Sequence, residues 1–86
     1  MKRAIIVFLT KTEVFECIDM LNLYGIKATT TATPKEAGIG CGLAVEVSFC
    51  CFSKVGKLLS ERHFSGFVGI YVRENHNDRV STYKIT

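Results

Sequence analysis

The chain has 86 residues, 48% of them hydrophobic, a length that supports one small hydrophobic core and predicts a single domain over residues 1–86. Its net charge is +3, and the 11 basic and 8 acidic side chains are scattered rather than gathered in a stripe, so nucleic acid is not expected as a partner. No apolar run reaches the ~20 residues that cross a bilayer, so we expect no membrane span and a cytoplasmic location.

The first half of the chain predicts a strand, a helix and a second strand. Residues Arg3–Leu9 form a continuous aliphatic and aromatic run, which is typical of a buried strand. Thr10 and Glu13 have the spacing of a capping box, and the apolar residues that follow predict a helix from about Lys11 to Tyr24. The threonine-rich segment Ile26–Ala32 precedes a proline and therefore predicts an edge strand.

The second half, after a glycine-rich loop, predicts the same order of strand, helix and strand. Apolar and polar residues alternate over Leu43–Ser48, which predicts a third strand. Helical spacing returns from Cys51 to about Glu61, and Phe67–Val72 predicts a fourth strand. The polar stretch Glu74–Asp78 then predicts a loop before a short additional strand over Val80–Ile85.

This order of elements predicts an α+β protein. Strand, helix, strand, strand, helix and strand are the elements of a ferredoxin-like βαββαβ two-layer sandwich, in which two helices cover one face of a sheet. In that arrangement the first and third strands are central. The loop between the second and third strands then lies at one end of the sheet.

A cysteine in that loop is the leading candidate for chemistry. Cys41 stands between Gly40 and Gly42, and glycines leave a sulfur open to approach by another molecule. The amides of the loop and the ammonium of Lys35 are candidates to stabilise an anionic sulfur. The alternative is a tight turn in which the cysteine is a small filler. The candidate substrate-binding residues are Thr33, Pro34, Lys35, Gly40 and Gly42.

The remaining cysteines and the two histidines give weaker signals. Cys17 lies within the first predicted helix, which predicts a core position, whereas Cys50 and Cys51 stand where the second helix begins. His63 is expected to cap that helix and His76 to be solvated. No zinc-type spacing and no obvious Cys–His dyad occur in the sequence. We therefore expect free thiols, no metal site and no hydrolytic activity.

The start of the second helix carries four consecutive apolar residues. The run Phe49–Phe52 cannot direct every side chain to one core. Either one phenylalanine is buried beside the sheet edge, or the exposed remainder serves as a partner or self-association surface.

The sequence around Cys41 resembles a known family. Thr33-Pro34-Lys35-Glu36 followed by Gly40-Cys41-Gly42-Leu43-Ala44 is similar to the signature of small bacterial selenium/sulfur carrier-like proteins. The resemblance implies that Cys41 carries sulfur or selenium as a persulfide or perselenide and needs no other cofactor. It also implies donor and acceptor partners of the cysteine desulfurase or sulfurtransferase-like kind. The run Phe49–Phe52 departs from the family pattern, where polar or acidic residues commonly open the second helix.

Two other functions stay open at this point. One is a ligand-sensing or protein-interaction module, in which ferredoxin-like sheets pair in a homodimer and the loop binds a small molecule. Such a module would be insensitive to loss of the Cys41 thiol. The other is a metal site at cysteines that converge in space, which predicts bound metal in the purified protein.

Overall fold

The computed structural model describes residues 2–77 and 79–86, which contain five strands and two helices. The strands are β1 (Lys2–Phe8), β2 (Thr29–Ala32), β3 (Leu43–Ser48), β4 (Phe67–His76) and β5 (Arg79–Lys84), and the helices are α1 (Lys11–Leu23) and α2 (Phe52–Glu61). Single 3-10 turns, Lys35–Ala37 and Phe49–Cys51, precede β3 and α2. Within the described residues, neither helix has the length and apolar character that crossing a bilayer requires.

The strands form one antiparallel sheet in the order β2-β3-β1-β4-β5. Its register places Ile6 of β1 opposite Val45 of β3 and Ile70 of β4. The central position of β1 explains its continuous apolar sequence, because a strand flanked on both edges and covered on both faces has no solvent-facing side. The mixed α+β class and the additional C-terminal strand are confirmed.

Helix α1 begins with half of the predicted capping box. The amide of Glu13 donates to Thr10 Oγ1 at 3.3 Å, as a capping threonine requires. The Glu13 carboxylate accepts from the amide of Gly66 at 2.7 Å, instead of from the Thr10 amide. This bond joins the start of α1 to the turn before β4, so Glu13 links two elements distant in sequence.

The end of α1 explains why β2 is shorter than predicted. Gly25 has a φ of +78°, and the amide of Ile26 donates to the carbonyl of Leu21 at 2.9 Å. These are features of a Schellman motif, which closes the helix and uses the amide that a strand at Ile26 would need. Ile26 and Ala28 are buried in the hydrophobic core, and β2 begins only at Thr29.

The main core lies between the sheet and the two helices. It contains alternate residues of β1, β3 and β4 together with the inner faces of α1 and α2. Phe8 is fully buried, and its ring lies 5.1 Å from that of Phe64 and 6.1 Å from that of Phe67, measured between centroids. This aromatic cluster fills the core at the end of the sheet where β1 finishes.

The opposite face of the sheet is covered as well, which corrects the expectation of cover on one face only. Ile5 and Val7 are fully buried there beside Ala44 and Tyr71. The loop between β2 and β3 supplies the cover, since Ala37 of its 3-10 turn packs on this second cluster. The loop therefore crosses the sheet instead of staying at its end, and this path positions the residues around Cys41.

Strand β4 is longer than the sequence predicts. It continues past Val72 to His76 because β5 pairs along its whole polar end. Glu74 accepts hydrogen bonds from the Tyr83 hydroxyl at 2.6 Å and pairs with His76 at 2.8 Å. These partners compensate for the low strand propensity of the segment Glu74–Asp78, which was expected to be a loop. Asp78 itself lies outside the described residues.

Candidate functional site

Three hydrogen bonds hold the loop that carries Cys41. The Thr33 amide donates to the carbonyl of Gly42 at 3.2 Å, and Thr33 Oγ1 donates to the carbonyl of Cys41 at 2.5 Å. The Cys41 amide donates to the carbonyl of Phe8 at 3.2 Å. The cysteine is thus bound through its backbone to the end of β1, and its position is fixed by the sheet.

Glycine is required at position 40. Gly40 has a φ of +127°, a conformation that side chains rarely adopt. A Cβ there would lie 3.0 Å from Val7 Cγ1 and 3.2 Å from the carbonyl oxygen of Phe8. Because the backbone itself packs on β1, no larger residue fits without moving the loop. The glycine before Cys41 is therefore needed for this close approach.

Cys41 is a half-buried residue, and the expectation that its sulfur is open to another molecule stays a prediction. Its Sγ donates to the carbonyl of Leu43 at 3.0 Å, and the side chain packs partly against the main core. The bond from its amide to the carbonyl of Phe8 holds the residue at the end of β1.

The residues predicted to form the site do lie together. A shallow depression of about 370 Å³ is lined by Thr33, Pro34, Lys35, Gly38, Ile39, Gly40, Cys41 and Gly42. Ile39, which sequence reasoning did not select, is 58% exposed and supplies an apolar wall. The sequence could have indicated that Ile39 is exposed, because a large aliphatic residue in a glycine-rich loop has few ways to reach a core.

The predicted role of Lys35 stays a prediction. Lys35 lines the same depression and is exposed. In the described part of the chain, neither a hydrogen bond nor an ion pair connects its ammonium to Cys41. Lys35 therefore shares the surface of the site without contacting the sulfur in this conformation.

A second group of thiols lies at the start of α2. Cys50 is exposed, and its Sγ lies 3.2 Å from Ser48 Oγ and 3.9 Å from Cys51 Sγ. The hydrogen bond from Ser48, followed by that from Cys51, lowers the pKa of Cys50. Burial and the neighbouring Cys50 raise the pKa of Cys51. Of these two thiols, Cys50 is the one that more readily becomes a thiolate.

Two phenylalanines that flank this cysteine pair contact each other and are partly buried. The rings of Phe49 and Phe52 stack in parallel, with centroids 5.6 Å apart, and both side chains are half-buried. The ammonium of Lys2 lies 5.1 Å from the centroid of the Phe49 ring. Neither phenylalanine is fully buried beside the sheet edge, so the apolar run is accommodated by ring stacking.

The remaining candidates take structural positions. Cys17 is fully buried in α1, as predicted, and burial raises the pKa of its thiol to about 12. His63 follows α2 and lines a groove of about 410 Å³ with Phe64 and Phe67. His76 pairs with Glu74 instead of being merely solvated. Over residues 2–77 and 79–86, no three histidine, cysteine or acidic side chains are placed to hold a metal ion together.

Strand β3 separates the two thiol sites. Cys41 lies just before the strand and Cys50 just after it. A strand of 6 residues spans about 20 Å at the usual rise of about 3.3 Å per residue. Cys41 and Cys50 are therefore too far apart to exchange a group directly, and all four cysteines of the chain are free.

Sheet, helices and loop together define a small α+β protein that presents one cysteine from a glycine-rich loop. The sequence profile of the family described as "Putative Se/S carrier protein-like" matches residues 3–71 of the chain. The protein belongs to this family, and the match includes the Cys41 loop. Comparison with curated proteins and with solved structures gives no significant match.

Proposed function

We propose that this protein carries sulfane sulfur or selenium on Cys41 and passes it between partner proteins. The observation that carries the proposal is the glycine loop, which holds a single half-exposed thiol at the edge of a shallow depression. Membership of the selenium/sulfur carrier family supports the same chemistry. The donor and acceptor are proteins of the cysteine desulfurase or sulfurtransferase-like kind, and the reaction takes place in the cytoplasm.

The transfer is redox-neutral overall and requires no external oxidant or reductant. The Cys41 thiolate attacks the outer sulfur of a donor persulfide, a new S–S bond forms on Cys41, and the donor thiolate leaves with the electron pair of the broken bond. An acceptor thiolate then attacks the same outer sulfur, and Cys41 leaves as a thiolate. The proton of Cys41 passes to water before the first step and returns after the second.

The loop supports these steps in two ways. Backbone hydrogen bonds fix Cys41 without using its sulfur, so the sulfur can exchange its bond to the Leu43 carbonyl for a bond to a second sulfur. Glycines on both sides leave space for the thiol of a partner. Lys35 lies in the same depression, where its ammonium is available to a persulfide anion that extends beyond Cys41 Sγ.

A ferredoxin-like classification forms part of the proposal. The order β2-β3-β1-β4, with β1 and β3 in the centre and both helices on the main core, supports it. Strand β5 is an addition beyond β4. We treat residues 1–86 as one domain whose partner surface is the end of the sheet that bears Cys41.

Loading by a sulfur donor tests the proposal. After incubation with a cysteine desulfurase and cysteine, the intact protein should gain the mass of one sulfur atom and lose it on reduction. The matched control Cys50→Ser should load normally, whereas Cys41→Ser should gain nothing. Equal loading of Cys41→Ser, or no loading of the native protein, would contradict the proposal.

A ligand-binding module is the second candidate function, and one observation favours it. The groove of about 410 Å³ beside His63 lies between α2 and β4, at the same end of the sheet as Cys41. Binding in this groove would not use the thiol. Thermal-shift screening should then find a ligand whose stabilisation is equal in the native protein and in Cys41→Ser.

A further inference from the structure

The pair Cys50 and Cys51 has a geometry that suits a shared bond to a third atom. The two Sγ atoms lie 3.9 Å apart, and Cys50 is exposed. In a tetrahedral site with Zn–S bonds of about 2.3 Å, two sulfur ligands lie about 3.8 Å apart. The two thiols are therefore already separated by the distance that one divalent ion of this kind requires.

Cys50 and Cys51 are poorly placed to form a disulfide with each other. Their Cα atoms are joined through one trans peptide and lie about 3.8 Å apart, below the about 4.4–6.8 Å of ordinary disulfides. Closing the bond would also bring the sulfur atoms to about half their present distance. The pair is thus better suited to remain a dithiol than to oxidise.

The surroundings leave the outer side of the pair open. Ser48 Oγ contacts Cys50 Sγ at 3.2 Å. The nearest cation on α2, Lys54, directs its ammonium to the carbonyl of Tyr24 at 3.3 Å. That hydrogen bond keeps the ammonium on a separate acceptor.

We propose that Cys50 and Cys51 form a two-thiolate binding site for a thiophilic divalent ion of the Zn²⁺ and Cd²⁺ type. Two S–H protons pass to water as two metal–sulfur bonds form, and no electrons are transferred. The pair supplies two of the four ligands that Zn²⁺ ordinarily takes, and water fills the remaining positions. This site is independent of the proposed carrier function, because it lies at the opposite end of β3 from Cys41.

Titration of the reduced, metal-free protein with Cd²⁺ tests the site. The cadmium–thiolate absorption band in the ultraviolet should rise and reach a plateau at one ion per chain. Cys50→Ser and Cys51→Ala should each weaken binding by more than the about 10–100-fold that loss of an outer-sphere partner costs. Mg²⁺ should produce no band, because hard cations prefer oxygen ligands.

The matched control is Cys41→Ser, which should bind Cd²⁺ like the native protein. Circular dichroism of each variant shows whether the fold is retained, and Cys50→Ala provides a second test because Cys50 is exposed. Absence of the band in the native protein, its persistence in both Cys50 variants, or its loss in folded Cys41→Ser would overturn the proposal.

Discussion

The two thiol sites at the ends of β3 differ in what holds the sulfur. At one end, the backbone of Cys41 is bonded to the sheet, and its single thiol contacts only a carbonyl among the polar partners in the described residues. At the other end, Cys50 is exposed beside a hydroxyl and a second thiol. A single thiol on a fixed loop suits transfer of one atom, whereas two adjacent thiols suit chelation.

The ends of the sheet differ in the same way in their packing. The Cys41 end rests on the buried ring of Phe8 and its aromatic neighbours. The Cys50 end is held by surface contacts, in which Lys2 lies beside Glu74 and above the Phe49 ring. The first end should therefore depend on burial, and the second should respond more to pH and salt.

Truncation of Phe8 should have the largest effect. Phe8→Ala removes a fully buried ring and should lower the free energy of unfolding by about 3–5 kcal/mol. Phe49→Ala, at the other end, should cost clearly less because that ring is half-buried. Urea unfolding of both variants measures the difference. Equal costs would show that the two ends are packed alike.

Substitution of the loop glycines should have the next largest effect. Gly40→Ala should cost about 1–3 kcal/mol, because of its positive φ and its contact with β1. Gly42→Ala is the matched control, since a Cβ at position 42 meets nothing within 4 Å. The rate of Cys41 alkylation, compared in the same two variants, should change only for Gly40→Ala. A similar change in both would contradict the role assigned to Gly40.

The Thr33 hydroxyl should make a smaller contribution. Thr33→Val removes the hydrogen bond to the Cys41 carbonyl and should lower the free energy of unfolding by about 0.5–1.5 kcal/mol. Amide hydrogen exchange at Cys41 should also become faster. Thr30→Val, an exposed change in β2, should leave that exchange rate unaltered. Unchanged exchange in Thr33→Val would show that the hydroxyl does not hold the loop.

The smallest expected effect is a pH dependence at the Cys50 end. Hydrogen bonds from Tyr83 and then His76 lower the pKa of Glu74 from 4.5 to about 2. The folded state therefore keeps this carboxylate ionised when the unfolded chain is already protonated. Its stabilising contribution is complete above pH 4.5 and declines as the pH falls toward 2.

Unfolding of the native protein and of Glu74→Gln across this pH range tests the assignment. The difference in stability should shrink as the solution becomes more acidic. The Cys41 end should be insensitive, so Thr33→Val should show a constant difference over the same range. A Glu74→Gln difference that is independent of pH would contradict the assignment.

Local patterns in the sequence predicted much of the site. Thr33, Gly40 and Cys41 are close along the chain, so the loop that joins two strands brings them together in any compact fold. The cap at Thr10 and the helix stop at Gly25 are likewise set by neighbouring residues. Such features depend on spacing alone, and spacing is visible in one sequence.

Features that depend on distant residues were not predictable. The cover of Ile5 and Val7 by the β2–β3 loop arises from contacts across the sheet. The partial burial of Cys41 arises from its packing against the main core on the other face. The extension of β4 to His76 needs its pairing with β5. The fold class could be predicted from the order of the elements. These tertiary contacts could not, because they join residues that are distant in the sequence.

Location of the transferred atom at single-residue resolution is the most direct test of the central claim. The protein is loaded with sulfur, alkylated without reduction, digested, and sequenced by mass spectrometry. The additional sulfur should be found on the peptide that contains Cys41, with Cys50 and Cys51 carrying only the alkyl group. Sulfur on Cys50 or Cys51 instead of Cys41 would contradict the account.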